Sequence, residues 1–416
     1  MSVAAGGQDE TFWAELRAWR RDFHAHPEMG FEEHRTSRLV AERLRGFGIA
    51  DVVEGVGGTG VVATITRGSG NRCIALRADM DALRITEDSA LPYRSRNPGV
   101  MHACGHDGHT TMLLGAARIL AAEGGFDGTV RFIFQPAEEW GKGALAMLAD
   151  GLMARFPFDE IHGLHNQPGL PLGAFRTRAG AVMSAEDNFE ILLRGLGGHA
   201  SRPQEGREVL VAACALVLNL QAIVARRVAP TETAVVSVTE LLTDGTRNAL
   251  PGTARILGDA RSFDPAVSAT IEAEMRRIAA GTAAAHGVDH AVTYTREFIP
   301  TINDAEATAA ALAAARQVFG DAQVAEAAAP HTASEDFARF LAQVPGCFAF
   351  IGNGEASRPL HNPGYDFNDD ALPDGTRFLV RIARNRLPGA DVGAADQGLE
   401  ARRPRSQEGV EFRRRG

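Results

Sequence analysis

The run MHACGHDGHT, from Met101 to Thr110, combines the residue types that most readily bind a transition metal. Cys104 and three histidines, His106 among them, lie within eight residues of one another. Thiolate and imidazole are good ligands for zinc-like divalent ions, and the glycines allow the chain to bend closely around an ion. A polar turn before a helix is the simpler interpretation, and it would suit a lone histidine. The density of ligands instead predicts a metal site, because buried thiolates and charges require such partners.

A pair of carboxylates, Glu138 and Glu139, follows an apolar strand in the run RFIFQPAEEW. Adjacent carboxylates at a strand end can divide two tasks, since one can bind a metal while the other transfers protons. A solvated acidic turn would explain the pair if it stood alone. Its position at the end of a strand, matched to the cysteine loop, favours a functional role.

Three further histidines lie in loops that contain glycine, asparagine or proline. His165 lies in GLHN and His361 in LHNPGYDFND, and each could be a ligand or a hydrogen-bonded structural histidine. His199 lies in GLGGHASRP, whose glycines suit the close approach of a substrate but also a flexible turn. Taken singly, these three loops leave both alternatives open.

Asp79 and Asp81 in ALRADMDAL lie two residues apart, so an extended backbone points both side chains the same way. Either carboxylate could coordinate a metal, or could orient an imidazole that coordinates one. The alternative for both residues is an ion pair with Arg77 or Arg84.

Composition and charge argue against several classes of protein. Single cores usually stop growing near ~250–300 residues, so a chain of 416 residues is expected to form two domains. The net charge of -9 and the aromatic content of 6% argue against a nucleic-acid surface. A membrane span is not predicted, because no run of roughly 18 apolar residues occurs. The first residues lack a basic head and an apolar stretch, so a cytoplasmic protein is expected.

The other three cysteines lie in apolar or glycine-flanked runs and are expected to be small core residues. A disulfide framework is not predicted for a cytosolic chain of this size. These cysteines are Cys73, Cys214 and Cys347.

The first half of the chain alternates short apolar strands with helices, which predicts an α/β fold with a doubly wound, mostly parallel sheet. Ligands bind beyond the carboxyl ends of the strands in such sheets, and the polar clusters described above follow strands. The predicted strands are Gly60–Ile65, Cys73–Arg77, Thr129–Gln135 and Glu160–Leu164, and the predicted helices are Phe12–Phe23, Thr36–Phe47, Thr110–Ala122 and Gly143–Leu152.

From Glu186 the order of elements changes to β-α-β-β-α-β, which fits a ferredoxin-like α+β unit. The α/β pattern resumes near Asp304, so this unit is predicted to be an insertion. Residues 1–184 and 299–388 would form a discontinuous catalytic domain, residues 185–298 the inserted domain, and residues 389–416 a disordered tail. The predicted elements from Glu186 onward are Asp187–Arg194, Glu208–Arg226, Ala234–Leu242, Thr253–Arg261, Pro265–His286, His290–Phe298, Ala305–Phe319, Glu335–Leu341, Cys347–Ile351 and Asp374–Arg386.

Together these segments resemble the aminoacylase and hippurate hydrolase branch of the zinc-peptidase-like amidohydrolases, whose members include plant hydrolases of auxin–amino-acid conjugates. The resemblance runs from about Arg20 to Arg386. Several motifs in the correct order are far more specific than any one of them. The motifs are RRDFHAHPEMGFEE, ALRADMDAL, MHACGHDGHT, FQPAEE, GLHN, GGHASRP, RNALPGTA, SEDFA and LHNPGYDFND.

The resemblance implies hydrolysis of N-acyl amino acids, such as acetyl or benzoyl conjugates, with two divalent ions per subunit, Zn²⁺ or Mn²⁺. Glu138 would be the general base, which takes the proton of a water molecule and passes it to the leaving nitrogen. Asp81 is predicted to be a second catalytic residue, beside Glu138. The implied metal ligands are Cys104, His106, Glu139, His165 and His361.

The resemblance also implies that the inserted domain is a lid and the contact surface of a homodimer. His199 would bind substrate and help to stabilise the oxyanion of the tetrahedral intermediate. Asn248 would lie near the substrate, and Arg261 would bind the substrate carboxylate unless it forms an ion pair on its strand. His24 and His26 match the HAHPE motif of the family but receive no chemical step.

Three positions depart from the family pattern, and they leave open the identity of the acyl group and the amino acid. Arg84 occupies a position where proline is usual. Gln204 and Glu208 follow GGHASRP where relatives often have histidine and then aspartate. All three lie outside the implied metal ligands, so the reaction class is unaffected.

Three other functions compete with this interpretation. A dipeptidase or carboxypeptidase of the same family shares the metal chemistry, but such relatives commonly have a bridging aspartate where this chain has Cys104. A catalytically silent metal-binding protein would be expected to have lost Glu138. A thiol-nucleophile enzyme that pairs Cys104 with a histidine would work without metal.

Overall fold

The computed structural model describes residues 10–389, so the predicted tail, apart from residue 389, lies outside the described residues. In chain order the α-helices of this part are α1 (Glu10–Ala25), α2 (His34–Gly46), α3 (His106–Glu123), α4 (Gly143–Ala149), α5 (Leu152–Arg155), α6 (Val209–Leu220), α7 (Ala222–Arg226), α8 (Pro265–His286), α9 (Ala305–Phe319), α10 (Ala338–Leu341) and α11 (Leu372–Arg386). The strands are β1 (Asp51–Val56), β2 (Gly60–Arg67), β3 (Cys73–Asp79), β4 (Gly128–Gln135), β5 (Glu160–Gln167), β6 (Phe175–Arg176), β7 (Gly180–Met183), β8 (Ala185–Arg194), β9 (Gly198–His199), β10 (Ala234–Thr243), β11 (Ala249–Leu250), β12 (Thr253–Ser262), β13 (Asp289–Phe298), β14 (Thr301–Asn303), β15 (Val324–Ala325) and β16 (Gly346–Gly352).

The larger sheet has eight strands in the order β1-β2-β4-β3-β5-β16-β6-β15. Its four central strands, β4, β3, β5 and β16, are parallel to one another. Antiparallel neighbours flank them, since β2 pairs with β4 and β6 pairs with β16 in the opposite direction. The predicted α/β fold with a mostly parallel sheet is therefore confirmed.

Successive side chains of the parallel strands enter two separate apolar cores, one on each face of the sheet. Leu76 and Phe132 lie in the core formed with α1, α2, α3, α9 and α11. Their neighbours Ala75 and Ile133 lie in the second core, with α4 and α10. Because both faces of the sheet are covered, the residues of the central strands are mostly buried. Polar residues lie at the carboxyl ends of three of these strands, namely Asp79 on β3, Gln135 on β4, and His165 and Asn166 on β5.

The smaller sheet has four antiparallel strands in the order β10-β12-β8-β13. Ile191 of β8, Leu216 of α6 and Met275 of α8 share its apolar core. This order of strands and helices is the predicted ferredoxin-like arrangement. The exact domain limits and the role of this unit as a lid stay predictions.

Two adjacent strands connect the smaller sheet to the rest of the protein. A single residue separates the end of β7 from the start of β8. Glu186 of β8 pairs with Phe298, the last residue of β13. β14 then pairs antiparallel with β7, with Thr301 opposite Met183. The two connections therefore run side by side as a two-stranded ribbon.

Some elements differ from those expected. The predicted helix Glu208–Arg226 is two helices that meet at Gln221, whose backbone N–H donates to the carbonyl of Leu218, three residues back. Cys214 on α6 is exposed, so its prediction as a core residue was wrong. An almost wholly apolar helix gives no periodicity from which to tell its buried face.

The edge strand β1 was not predicted, because its residues are mostly exposed or half-buried and show no apolar alternation. Within the part of the chain that the structure describes, no helix combines the length and the hydrophobicity needed to cross a bilayer.

Candidate metal centre

The loop that carries Cys104 turns sharply into α3, so His106 is the first residue of that helix. Gly105 has φ 95°, a left-handed conformation. A Cβ at this position would lie 2.1 Å from Oδ1 of Asn166 and 2.7 Å from the Tyr365 hydroxyl. Glycine is therefore required here by both conformation and space, and this turn brings Cys104 and His106 to one site.

Asp81 orients His106. Nδ1 of His106 lies 2.9 Å from the carbonyl oxygen of Asp81 and 3.2 Å from Oδ1 of the same residue, so Nδ1 carries the proton. Nε2 of the ring is buried without a hydrogen-bond partner. Oxygens of Glu138 and Glu139 lie 3.9 Å from it. Burial alone would lower the pKa of His106, but the carboxylates of Asp79, Asp81 and Glu139 raise it to about 10. The surroundings of Nε2 therefore favour a positive charge, as the binding site of a metal cation does.

The structure brings all five predicted ligands together, in two groups. Within each group the ligand atoms lie within 4.8 Å of one another. Cys104 belongs to both groups, and Oε1 of Glu139 is a second buried atom without a hydrogen-bond partner. This donor set of thiolate, imidazole and carboxylate fits two divalent ions. The first group is Cys104, His106 and His165, and the second is Cys104, Glu139 and His361.

The two remaining histidines of the set differ in exposure. His165 donates from Nδ1 to the carbonyl of Asn166 at 2.6 Å, so its Nε2 is the acceptor nitrogen and lies within hydrogen-bond distance, 3.4 Å, of Sγ of Cys104. Burial, together with the nearby His109, lowers the pKa of His165 well below its usual value, so the ring is neutral. His361 lies 3.5 Å from Glu139 and its side chain is 53% exposed. The site therefore opens to solvent at His361.

The electrostatic surroundings of Cys104 bear on its chemistry. Burial and the nearby carboxylates of Glu139 and Glu138 raise the pKa of the thiol well above its usual value. The thiolate form consequently needs a bound cation. This environment disfavours the alternative of a metal-free thiolate nucleophile, which requires a lowered pKa.

Glu138 is 6% exposed and follows Ala137, whose φ of 48° is unusual for a residue other than glycine. Its Oε1 lies 3.4 Å from the backbone N–H of Asp336. Burial and the carboxylates of Glu335 and Glu139 raise the pKa of Glu138 well above its usual value. A carboxylate with a raised pKa accepts a proton more readily, as a general base must.

A buried ion cluster around Arg77 supports this site, and sequence reasoning found only part of it. Arg77 pairs with Asp79 at 2.6 Å, which confirms the ion pair considered for that residue. It also pairs with Glu335 at 2.9 Å and Asp336 at 3.2 Å. The SEDFA motif, which contains both acids, was the only signal in the sequence. The backbone N–H of Asp336 donates to Oε1 of Glu138, so the cluster contacts the predicted base.

The predicted substrate residues of the insertion lie apart from this centre. His199 and Asn248 are exposed and close to each other, because the N–H of Ala200 donates to the carbonyl of Asn248. Among the described residues no hydrogen bond or ion pair connects either residue to the five predicted ligands. Arg261 forms ion pairs with Glu186 at 2.9 Å and Asp259 at 2.8 Å. The structure therefore contains the ion-pair alternative considered for Arg261.

His24 and His26 occupy different environments. His24 is buried and its Nδ1 lies 2.8 Å from Asp107, the residue after the predicted ligand His106. His26 donates from Nδ1 to the carbonyl of Asp22 within its own segment. Neither ring contacts the predicted ligands directly among residues 10–389.

Comparisons with protein-family models and with known proteins agree on one family. Residues 75–385 match the model of peptidase family M20/M25/M40. The chain is 38% identical over 373 residues to a hippurate hydrolase of Campylobacter jejuni, covering 90% of this chain and 97% of that protein. It is 36% identical to an N-acetyl-L-cysteine deacetylase of Bacillus subtilis, covering 91% and 89% of the two chains.

Two further matches bear on peptidase activity and on metal binding. A thermostable carboxypeptidase of Saccharolobus solfataricus is 35% identical and covers 89% of this chain and 95% of its own length. A Bacillus subtilis crystal structure, described as a dinuclear metal binding peptidase from the M20 family, superposes with a TM-score of 0.80 at 32% identity. That match covers 91% of this chain and 99% of the solved one.

Proposed function

The chain belongs to peptidase family M20/M25/M40 and is an amidohydrolase, and on that premise we propose that it hydrolyses N-acyl amino acids with two divalent ions per subunit. The observation that carries the proposal is the pair of ligand groups that share Cys104, with Glu138 beside them. The similarity to a hippurate hydrolase and to an N-acetyl-L-cysteine deacetylase supports acylated amino acids as substrates.

The proposed ligands are Cys104, His106, Glu139, His165 and His361. Bound zinc or manganese ions would lower the pKa of a water molecule and polarise the amide carbonyl. Glu138 takes a proton from the attacking water and delivers it to the nitrogen as the C–N bond breaks. The products are a carboxylic acid and a free amino acid.

Asp81 supports this chemistry through two neighbours. Its carboxylate and carbonyl hold the ring of His106, and its Oδ2 accepts the backbone N–H of Glu139 at 3.0 Å. One residue thus holds a ligand of each proposed metal group, which is the role of a positioning residue in such sites.

The insertion supplies the rest of the proposed site when it closes as a lid. His199 would stabilise the oxyanion, and Asn248 would contact the substrate. Arg261 would exchange one of its two carboxylate partners for the substrate carboxylate. The insertion would also form the contact surface of a homodimer.

A carboxypeptidase is the second candidate, because a relative with that name covers most of the chain. The experiment that separates the candidates is a release assay over N-acyl amino acids and dipeptides, with zinc or manganese supplied. We expect metal-dependent cleavage of acylated amino acids and little cleavage of dipeptides. A preference for dipeptides would identify the protein as a peptidase. Activity that persists after complete chelation would contradict the two-metal mechanism. Silence across the panel with both metals bound would indicate an inactive metal-binding relative.

A further inference from the structure

The segment Met29–Glu33, at the end of the RRDFHAHPEMGFEE motif, packs against the turn that carries Glu138 and Glu139. It lies outside the part of the chain that matches the family model. Gly30 makes this approach possible, because a Cβ there would lie 2.9 Å from Cβ and 3.0 Å from Cα of Ala137.

Glu33 is fully buried, and both of its carboxylate oxygens accept hydrogen bonds. Oε1 accepts the backbone N–H of Ala137 at 2.8 Å, and Oε2 accepts the hydroxyl of Thr59. Among the described residues no lysine, arginine or histidine forms an ion pair with Glu33. A buried carboxylate without a cation is destabilising unless its hydrogen bonds compensate, so this side chain needs an explanation.

Ala137 supplies that explanation. Its φ of 48° is left-handed, a conformation that costs energy for any residue with a Cβ. Such strain persists only where the surroundings enforce it, and it concentrates at functional sites. The Glu33 carboxylate holds the N–H of Ala137, while the carbonyl of Ala137 accepts the N–H of Gly143 at 3.1 Å.

The next part of the turn is held in the same manner from another part of the chain. Oδ2 of Asp81 accepts the N–H of Glu139 at 3.0 Å. Two buried carboxylates from distant segments thus bind the backbone on both sides of Glu138. This places the proposed base between two fixed peptide groups.

We propose that Glu33 is a positioning residue of the hydrolytic reaction, whose carboxylate holds Ala137 in the left-handed conformation that directs Glu138 and Glu139 into the site. This inference rests on the proposed function. The side-chain hydrogen bonds of Glu33 go to Ala137 and Thr59 and to none of the five proposed ligands among residues 10–389, so it acts through the backbone of the turn.

The test compares Glu33→Ala with Glu33→Gln and with Glu32→Ala, a control at the exposed neighbouring residue. We expect Glu33→Ala to lower kcat by about 10- to 100-fold with little change in KM, since the base is misplaced. The dissociation constant of the metal bound through Glu139, measured by titration of metal-free protein, should rise about 10-fold. Glu33→Gln retains an acceptor for the Ala137 N–H, so its kcat and its metal affinity should both be close to those of the wild-type protein.

A second substitution separates positioning from a general structural role. Ala137→Gly removes the penalty for a positive φ, so in the Glu33→Ala background it should recover part of the lost kcat. Should Glu33→Ala fail to fold, Thr59→Val keeps the Ala137 contact while freeing Oε2, and it should lower kcat in the same direction by a smaller factor.

The outcomes distinguish this inference from the proposed function. Active wild-type protein together with a folded Glu33→Ala variant of unchanged kcat and metal affinity, even with a lowered Tm, would overturn the positioning role. An inactive wild-type protein would instead contradict the proposed function.

Discussion

The carboxylate and the carbonyl of Asp81 both face Nδ1 of His106, at 3.2 Å and 2.9 Å. This contact holds a proton on Nδ1, and it leaves Nε2, which has no hydrogen-bond partner, facing the carboxylates of Glu138 and Glu139 at 3.9 Å. The tautomer of a metal-binding histidine is commonly set by such a partner.

Removal of the Asp81 side chain should therefore weaken metal binding before it affects the fold. We expect Asp81→Ala to reduce metal affinity by about 10- to 100-fold. Titration of metal-free protein measures this change, and Asp88→Ala, on the exposed loop that follows, is the control. Equal metal affinities for the two variants would contradict the role assigned to Asp81.

Glu138→Gln should leave both metal ions bound and abolish most turnover. A neutral amide cannot accept the proton of water, and loss of a general base costs roughly 10²- to 10⁴-fold in rate. Elemental analysis and steady-state kinetics on one preparation measure both quantities. Normal turnover by this variant would exclude Glu138 as the base.

Cys104→Ala should reduce the occupancy of both metal ions, because Cys104 is common to both ligand groups. Cys214→Ala is the matched control, since Cys214 is exposed on α6. Elemental analysis after dialysis gives the metal content per chain. If the two cysteine variants retain equal metal, Cys104 is not a ligand.

Arg20→Met should destabilise the fold strongly. Arg20 is fully buried and pairs with Asp366 at 2.7 Å and Asp369 at 2.6 Å. Removal of one partner from buried ion pairs typically costs about 3–5 kcal/mol, because the remaining charges lose their compensation. Urea unfolding measures this cost. Arg38→Ala, which breaks an exposed helical pair, should change stability by about 0.5 kcal/mol or less.

Glu160 should make stability depend on pH in acid. Burial opposes its ionisation, but hydrogen bonds from His162 and Arg386 outweigh that effect and lower its pKa to about 2. A carboxylate whose pKa is lower in the folded state than in the unfolded state stabilises the protein when the pH is above the unfolded-state pKa, here 4.5. This stabilisation is lost as the pH falls from 4.5 towards 2.

Glu160→Gln should therefore lower the free energy of unfolding by about 1 kcal/mol less at pH 3.5 than at pH 6. Urea unfolding at several pH values measures the difference in free energy. Glu306→Gln removes an exposed partner of the same Arg386 and should show a small difference at every pH. A constant difference for Glu160→Gln would contradict the lowered pKa.

Sequence reasoning found the parts of the fold and site that depend on local patterns. Parallel strands and their helices follow from hydrophobic patterning, and the prediction that Cys104 and His106 are ligands follows from residue type and spacing. The ion-pair partners of Arg77 could not be predicted in this way, because Glu335 lies 258 residues away. Glu33 and Ala137 are likewise 104 residues apart. Contacts between such distant segments depend on packing of the whole domain, which no local pattern contains.

The ribbon of β7 and β14 limits how the smaller sheet can move. Both connections run side by side and are hydrogen-bonded to each other, so neither can lengthen or slide without breaking the ladder. Displacement of the smaller sheet is consequently reduced to bending and twisting of one short two-stranded segment. In the proposed closure of the lid, His199 and Asn248, which lie beyond that segment, would therefore move together towards the proposed metal ligands.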